Sequence, residues 1–341
     1  MNKKLNKFFL KFLKQTDKIY THPSNEGYWS NLSKKENTDL IKLLEKHTTR
    51  EAVSIKMPMI SDVIFSEKRS VGLELLNLSG KEVAIDLGCM WGAITIPLAK
   101  QVDYVVGVDQ TIESLKFTEA RLNEEGIKNV SFLNANLRDL VIPEKTFDIA
   151  IVNGVLEWLP EIEDVELGNY WYKRIKRKAH GNPRDIQLDF LKNVNQGLTD
   201  GGRLMLAIEN RYDYKMFFGT RDPHTGTLFT TISPRWVANI ISLIFRKREY
   251  RPWIYSFNGT KKLLMEAGYS DVTLHSCWPD YRHPEFITKY GEVNNYFSPT
   301  SSIRNGKRTI KGIIANRVEW LLFKVCNFQF FAPSMIIIAK K

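Results

Sequence analysis

The sequence has little cysteine and few long apolar runs. Its 341 residues include three widely separated cysteines, Cys89, Cys277 and Cys326, with no C-x-x-C pair. This pattern disfavours a disulfide framework and a thiolate zinc site, and it predicts a reducing, cytoplasmic compartment. No stretch approaches the roughly 18 apolar residues of a membrane-spanning helix. The six histidines show no HxH or HExxH spacing, so no metal site is predicted.

What the sequence does contain is a globular composition with an excess of positive charge. Apolar residues make up 43% and charged residues 26% of the chain, which excludes a disordered tail or a fibrous repeat. Lysine and arginine exceed aspartate and glutamate by 49 to 38, a net charge of +11. This excess suits an anionic partner such as nucleic acid, acidic lipid or a phosphorylated or diphosphate-linked substrate. The basic residues concentrate at 173–178, 246–251 and 304–311.

The N-terminus predicts an amphipathic helix. Leu5, Phe8 and Phe9 fall on one side of a helical wheel, and lysines occupy the other. A basic amphipathic helix can lie on an anionic membrane surface. It can equally pack on the protein with its lysines in solvent, and we favour packing because most amphipathic helices cover a core.

The middle of the chain alternates short apolar runs with helical patterns. Such alternation predicts βαβ units and an α/β fold, in which a doubly wound parallel sheet carries helices on both faces. We expect a helical N-terminal extension or lid (1–80), one catalytic domain (81–280) with an insertion at about 160–183, and a C-terminal elaboration (281–341) that ends in a sheet strand. The predicted strands cover 83–88, 104–109, 130–135, 147–154, 203–209, 272–277 and the last residues of the chain.

The strongest motif follows the first of these strands and reads Asp86-Leu-Gly88-Cys-Met-Trp-Gly92. Glycines let the backbone turn sharply and approach a ligand closely. The G-x-G-x-x-G motif of dinucleotide sites is absent, and an acid at the strand end suits a ligand with a cationic group. Asp109 ends the second strand, where a doubly wound sheet places an acceptor for ribose hydroxyls.

The segment 83–208 resembles the class I S-adenosylmethionine-dependent methyltransferases, which share this Rossmann-like sheet. Met90 stands where many members carry a glycine, and Asn136 stands where an aspartate usually contacts adenine. The resemblance implies S-adenosylmethionine as cofactor, with contacts from Asp86, Gly88, Cys89, Gly92, Asp109, Gln110, Asn136, Leu137, Asn153 and Gly154.

A narrower resemblance covers the C-terminal half, in AIENRYDYKMFFG, DPHTGTLFTTISPRW and WPDYRHP. These segments are similar to a bacterial group of methyltransferases associated with surface-polysaccharide and glycan biosynthesis. The resemblance implies O-methylation of a glycan or other small-molecule acceptor, with a lipid carrier as one form of that acceptor. It also suits an enzyme at the inner face of the membrane.

Methyl transfer to a hydroxyl benefits from a general base, and three residues are candidates for catalysis. His224 lies in a loop after the fifth strand, two residues from Asp222, which can orient it. Glu157 follows the fourth strand and can act as the base or orient the sulfonium. The alternatives are structural: His224 can brace a turn and Glu157 can cap a helix. Glu209 and Arg211 are candidates for substrate binding or for a salt bridge at the end of the fifth strand, and Tyr281 and His283 are weaker candidates.

Two other functions remain open at this stage. An RNA methyltransferase would use the basic surface to contact phosphates, although the chain lacks an Asn-Pro-Pro-Tyr type motif and has no appended RNA-binding module. A non-enzymatic protein of the same fold could instead serve as a partner in a glycosyltransferase complex.

Overall fold

The structure is a computed structural model that describes residues 3–23, 25, 29–30, 32–161, 165–166, 181–292, 296–297, 321 and 328–341. Most of the predicted insertion lies outside the described residues. Cys326 and the basic clusters at 173–178 and 304–311 lie outside them as well.

A central sheet of eleven strands organises the described part of the chain. Its order is β1-β2-β6-β5-β4-β7-β9-β13-β10-β11-β12, and β3 and β8 form a separate pair. The strands are β1 (Leu13–Lys14), β2 (Ile19–Thr21), β3 (Trp29–Ser30), β4 (Val83–Leu87), β5 (Tyr104–Asp109), β6 (Val130–Asn134), β7 (Phe147–Asn153), β8 (Val165–Glu166), β9 (Leu198–Glu209), β10 (Asp271–Trp278), β11 (Phe286–Lys289), β12 (Tyr296–Phe297) and β13 (Ser334–Lys340).

Helices cover both faces of the sheet, and apolar residues from each face form separate buried clusters. Among the described residues, no helix has the length and apolar character needed to cross a bilayer. The α-helices are α1 (Lys3–Phe9), α2 (Lys34–Leu43), α3 (Thr49–Lys56), α4 (Ser61–Phe65), α5 (Thr95–Ala99), α6 (Ile112–Glu124), α7 (Pro183–Gly197), α8 (Tyr214–Phe217), α9 (Arg235–Arg246) and α10 (Phe257–Glu266).

Strand direction confirms the predicted doubly wound fold. Strands β6, β5, β4, β7 and β9 pair in parallel, and β4 lies between β5 and β7. The final strand, β13, inserts antiparallel between β9 and β10. Because β5 and β6 lie on one side of β4 and β7 and β9 lie on the other, the loops after β4 and β7 lead to opposite faces of the sheet and leave a crevice between them.

The N-terminal extension differs from the helical segment predicted for residues 1–80. Strand β2 adds to the edge of the main sheet by pairing in parallel with β6. The helix expected to run up to Gly80 is also interrupted, because Ser66 adopts an extended conformation (φ −74°, ψ 128°) and its side chain accepts a hydrogen bond from Lys68 N. A 3₁₀-helix (Glu67–Leu76) follows.

The amphipathic helix α1 packs on the body of the protein. Leu5, Phe8 and Phe9 are buried in the main apolar cluster, and the ring of Phe9 lies 4.5 Å from that of Tyr20. The apolar face of α1 therefore packs against the protein in this structure, as the packing interpretation predicts, and membrane contact through α1 stays a prediction.

We expect Phe9→Ala to lower the free energy of unfolding by about 3 kcal/mol, because the substitution leaves a cavity in a packed core. Leu10→Ala is the matched control, since Leu10 is 84% exposed and its loss should cost under about 0.5 kcal/mol. Urea denaturation of the two variants measures the difference. Equal, small effects would contradict the packing of α1.

Candidate active site

The loop after β4 is held in a conformation that excludes side chains at two positions. Gly88 and Gly92 have φ values of +86° and +76°. A Cβ added at Gly88 would lie 2.4 Å from Val155 Cγ2, and one added at Gly92 would lie 2.4 Å from Thr118 Cγ2. The glycines are therefore required both by backbone conformation and by space.

Met90 adopts a left-handed conformation, with a φ of +44°. Such a conformation is uncommon for a residue with a side chain. Hydrogen bonds hold it: Met90 N donates to Asp109 Oδ2 at 3.0 Å, and Met90 O accepts from Thr118 Oγ1 at 3.0 Å. These two hydrogen bonds fix the loop at Met90 to Asp109 and to Thr118.

Asp109 joins the loops that follow β4 and β5. Its Oδ1 accepts from Thr111 N at 2.8 Å, while Oδ2 accepts from Met90 N. Burial raises its pKa to about 7. Each carboxylate oxygen has a second lone pair available to a ligand hydroxyl. Asp86, at the end of β4, is also buried, and burial raises its pKa to about 6.

A cavity opens between these loops and contains about 860 Å³ of empty space, including its open mouth. Several buried polar atoms on its wall have no hydrogen-bond partner: both amide atoms of Gln110, Oδ1 of Asn153 and Nη1 of Arg69. Unpaired buried polar atoms are costly, so this wall is suited to a polar ligand. The predicted residues on the wall are Asp86, Gly88, Cys89, Asp109, Gln110, Leu137, Asn153 and Gly154.

Three positions differ from the predicted set. Gly92 supports the loop from behind and does not line the cavity. Asn136 also lies off the wall; its Oδ1 accepts from Arg138 N at 3.0 Å and so closes a local turn. Arg69 does line the cavity, although no sequence motif links the 3₁₀-helix that carries it to the glycine-rich loop.

A second group of side chains lies next to the cavity. It consists of Glu157, Glu209, Asp222 and His224, and is called here the carboxylate–histidine cluster. His224 Nδ1 lies 3.2 Å from Asp222 Oδ1, while Nε2 lies 3.8 Å from both Glu157 Oε1 and Glu209 Oε2. Both carboxylate oxygens of Glu157 are buried without a hydrogen-bond partner. The structure thus brings together all three predicted catalytic residues, with Glu209.

Asp222 is fixed by donors from several directions. It accepts hydrogen bonds from His224 N at 2.8 Å, Thr230 Oγ1 at 3.0 Å and Tyr250 Oη at 2.9 Å. Burial alone would raise the pKa of this carboxyl, but His224 and the other donors hold the pKa well below its ordinary value. Asp222 is therefore a permanent anion that orients the imidazole.

The pKa values of His224 and Glu157 are shifted as well. Burial opposes charge on His224, but Asp222, Glu157 and Glu209 together raise the pKa of His224 well above its ordinary value. Burial first, and then the charge of Glu209, raises the pKa of Glu157. The cluster thus combines a cationic imidazole with a carboxylate of increased basicity.

The same arrangement bears on the expectation that the chain has no metal site. One ligand atom each from Glu157, Glu209 and His224 lies within 4.8 Å of the others. Carboxylate oxygens and imidazole nitrogen are ligands for several divalent cations, so these three groups could hold an ion in place of a proton.

Two aromatic residues connect the cluster to the cavity. Trp158 lines the cavity, and its ring lies 4.7 Å from that of His224. Tyr281 Oη donates to Glu209 Oε1 at 3.4 Å, and it would lie 2.4 Å from a Cβ added to Gly154 on the cavity wall. The cluster therefore lies directly behind one end of the cavity.

Two further candidates have other surroundings. Arg211 donates from Nε to Thr231 O at 3.2 Å and from Nη2 to Ser233 O at 2.6 Å, so it braces the loop that carries His224. His283 is not part of the cluster, and burial lowers its pKa.

The chain is similar to known methyltransferases. Residues 84–177 match the family described as "Methyltransferase domain". The chain is 24% identical over 237 residues to an uncharacterized methyltransferase of Schizosaccharomyces pombe, covering 62% of this chain and 88% of that protein. It is 29% identical over 106 residues to a probable cobalt-precorrin-6B C(15)-methyltransferase of Methanocaldococcus jannaschii, covering 30% of this chain and 57% of that protein.

Among solved structures, the chain is similar to an S-adenosylmethionine-dependent methyltransferase from Mesorhizobium loti. The TM-score is 0.43 with 16% sequence identity, and the alignment covers 79% of this chain and 95% of that one.

The residues on the cavity wall fit S-adenosylmethionine. Asp109 could accept from the ribose hydroxyls, and Leu137, which lines the cavity, is an apolar residue that an adenine ring could pack against. The orphaned guanidinium nitrogen of Arg69 and the buried carboxyl of Asp86 complement the carboxylate and ammonium of a methionine moiety.

We expect Gly92→Ala to weaken S-adenosylmethionine binding at least tenfold, because the new methyl group must displace Thr118, which holds Met90. Gly80→Ala is the matched control: Gly80 also has a positive φ, +87°, but open space surrounds its Cβ position. Calorimetric titration of both variants with S-adenosylmethionine distinguishes the effect of the clash with Thr118 from the effect of backbone strain at a positive φ. Equal losses of affinity would contradict the proposed role of the loop.

The raised pKa of Asp109 predicts pH-dependent binding of the ribose. With a pKa of about 7, the carboxyl is mostly protonated near pH 6 and mostly ionised near pH 8, where it accepts hydrogen bonds best. We expect 5′-methylthioadenosine, which lacks the titrating amino acid, to bind about tenfold more tightly near pH 8 than near pH 6. Asp109→Asn should remove this dependence, and a wild-type affinity independent of pH would contradict the assignment.

Proposed function

We propose that this S-adenosylmethionine-dependent methyltransferase methylates a hydroxyl group of a sugar or glycan intermediate. One observation carries the proposal: the buried Glu157 carboxylate, without a hydrogen-bond partner, lies next to the cofactor cavity. His224, 3.8 Å away, offsets the charge of this carboxylate but donates no hydrogen bond to it, and a buried acceptor without a donor is costly. The hydroxyl of an acceptor can supply that donor.

Glu157 is the residue that accepts this proton. Its neighbours in the chain, Val155 and Trp158, line the cavity, which supports a position for Glu157 close to the acceptor. Its raised pKa makes it a stronger base than an ordinary glutamate, and a positioned base removes the hydroxyl proton as the oxygen attacks.

His224 acts through its charge. The sequence pattern predicted His224 as a candidate general base that Asp222 orients. An imidazole whose pKa is raised well above its ordinary value is already protonated at neutral pH, so it cannot take a second proton. It instead offsets the negative charge of Glu157 and Glu209 and keeps both carboxylates in place.

The cofactor, when bound, supplies a methyl group on a positively charged sulfur that departs as a neutral thioether. The chain has to hold the acceptor oxygen in line with that methyl group and to keep water away. Trp158 and Tyr281 close this end of the cavity, and both present aromatic surfaces next to the carboxylates.

The chemistry of the cluster favours a neutral, hydroxyl-rich group at the reaction centre. Carboxylates accept hydrogen bonds from hydroxyls, and an indole face packs against C–H groups. Three carboxyls beside one imidazole repel a phosphate. A phosphate or diphosphate of a lipid-linked acceptor would therefore lie away from the cluster.

We expect Glu157→Gln to lower kcat by about 100-fold or more, because the amide cannot accept the proton, while S-adenosylmethionine binding changes little. Glu161→Gln is the matched control: Glu161 is also buried, but it pairs with Arg246, outside the cluster. Transfer of a labelled methyl group to a glycan acceptor and calorimetric binding of the cofactor measure the two effects.

Two outcomes would contradict this mechanism. An unchanged kcat in the Glu157→Gln variant would show that Glu157 is not the general base. Activity lost on chelation and restored by Mn²⁺ would instead mean that Glu157, Glu209 and His224 hold a cation.

The acceptor class is tested by incubating the enzyme with a labelled methyl donor and fractionated bacterial extract. Label in saccharide or lipid-linked saccharide fractions supports the proposal. Label in the RNA fraction, removed by ribonuclease, would favour the RNA methyltransferase alternative.

A further inference from the structure

Helix α9 has its apolar side directed outward. The two residues of the helix that are buried are small, Ala238 and Ser242. The opposite side carries large apolar side chains at i, i+4, i+7 and i+8 spacing, and a further one lies in the last turn. Their exposed fractions are 69% for Trp236, 48% for Ile240, 44% for Leu243, 58% for Ile244 and 75% for Phe245.

The polar side of α9 is fixed against the protein. The Arg235 guanidinium donates to Ile254 O and lies 5.0 Å from the ring of Trp253. Arg246 Nη1 lies 3.8 Å from Glu161 Oε1. Because both ends of the helix are anchored through arginines, the helix cannot roll to bury its apolar side.

The segment that precedes α9 also exposes large apolar residues. Phe217 and Phe218, at the end of α8, and Leu228 and Phe229, in the connecting loop, are all exposed. Exposed apolar groups of this size concentrated in one stretch of chain indicate a binding surface.

The charge of this stretch points to an anionic surface. No aspartate or glutamate occurs from Pro223 to Arg248, and α9 ends in Arg246-Lys247-Arg248. Interfacial helices combine an apolar face that carries tryptophan with flanking basic residues that contact lipid headgroups. We propose that the outward face of α9, Trp236 to Phe245 with Lys247, docks on an anionic lipid bilayer surface.

A second copy of the chain is the less suitable partner for this face. A net charge of +11 makes two copies repel each other, whereas the same charge attracts the chain to anionic headgroups. The apolar face with a basic end complements a bilayer surface in both respects.

The position of α9 relates membrane docking to the active site. The helix follows the loop that carries Asp222 and His224, and Tyr250, four residues beyond its end, donates to Asp222 Oδ2 at 2.9 Å. A bilayer under α9 would therefore lie close to the carboxylate–histidine cluster. This arrangement suits an acceptor presented on a lipid, although docking itself does not depend on the identity of the acceptor.

The test is co-sedimentation of the full chain with vesicles. One set contains phosphatidylcholine alone, and the other contains about one third phosphatidylglycerol. We expect binding to the anionic vesicles that weakens with salt. The double variant I240S/I244S should lower the affinity about tenfold through lost apolar contact, and Lys247→Gln should lower it about fivefold through lost charge.

Ile55→Ser and Met265→Ser are matched controls, because these exposed apolar residues lie on α3 and α10 and should leave vesicle binding unchanged. Two results would overturn the proposal: wild-type protein that binds neither vesicle, or an I240S/I244S variant that binds as tightly as wild type. A wild-type dimer by light scattering, made monomeric by I240S/I244S without vesicle binding, would show instead that this face joins two copies. Failure of the proposed chemistry would leave vesicle binding intact.

Discussion

The parallel pairing of β4 with β5 and β7 brings the ends of these strands to one edge of the sheet. Asp86 is the penultimate residue of β4, and Asp109 and Asn153 are the last residues of β5 and β7. The hydrogen bond from Met90 N to Asp109 then joins the loops that follow β4 and β5. Because the cofactor cavity consists of these loops, its shape depends on the order of the strands.

The carboxylate–histidine cluster depends on the residues that donate hydrogen bonds to Asp222. Asp222 holds the imidazole of His224, and it is itself held by Thr230 and Tyr250. These donors keep Asp222 ionised in a buried place, so His224 remains a cation and offsets the charge of nearby glutamates. The proposed basicity of Glu157 therefore depends on residues from loops far apart in sequence.

Helices α1 and α9 show that amphipathic character alone does not decide what a helix contacts. The lysine-rich α1 buries its apolar face against the sheet, whereas α9 presents its apolar face to the outside. In α9 the inward contacts are made by small residues and anchored arginines. A helical wheel gives the faces of both helices, and only packing shows which face is covered.

The sequence by itself determined the parallel sheet, the glycine-rich loop and the acid at the end of β5, because these features depend on local pattern and short spacing. The sequence also indicated Glu157 and His224 as candidate catalytic residues. Only the tertiary structure shows that these two residues lie next to Glu209. It also shows that Arg69 lines the cavity and Asn136 does not, and that the apolar side of α9 is exposed. Each of these depends on contacts between segments distant in sequence, and no local propensity encodes such contacts.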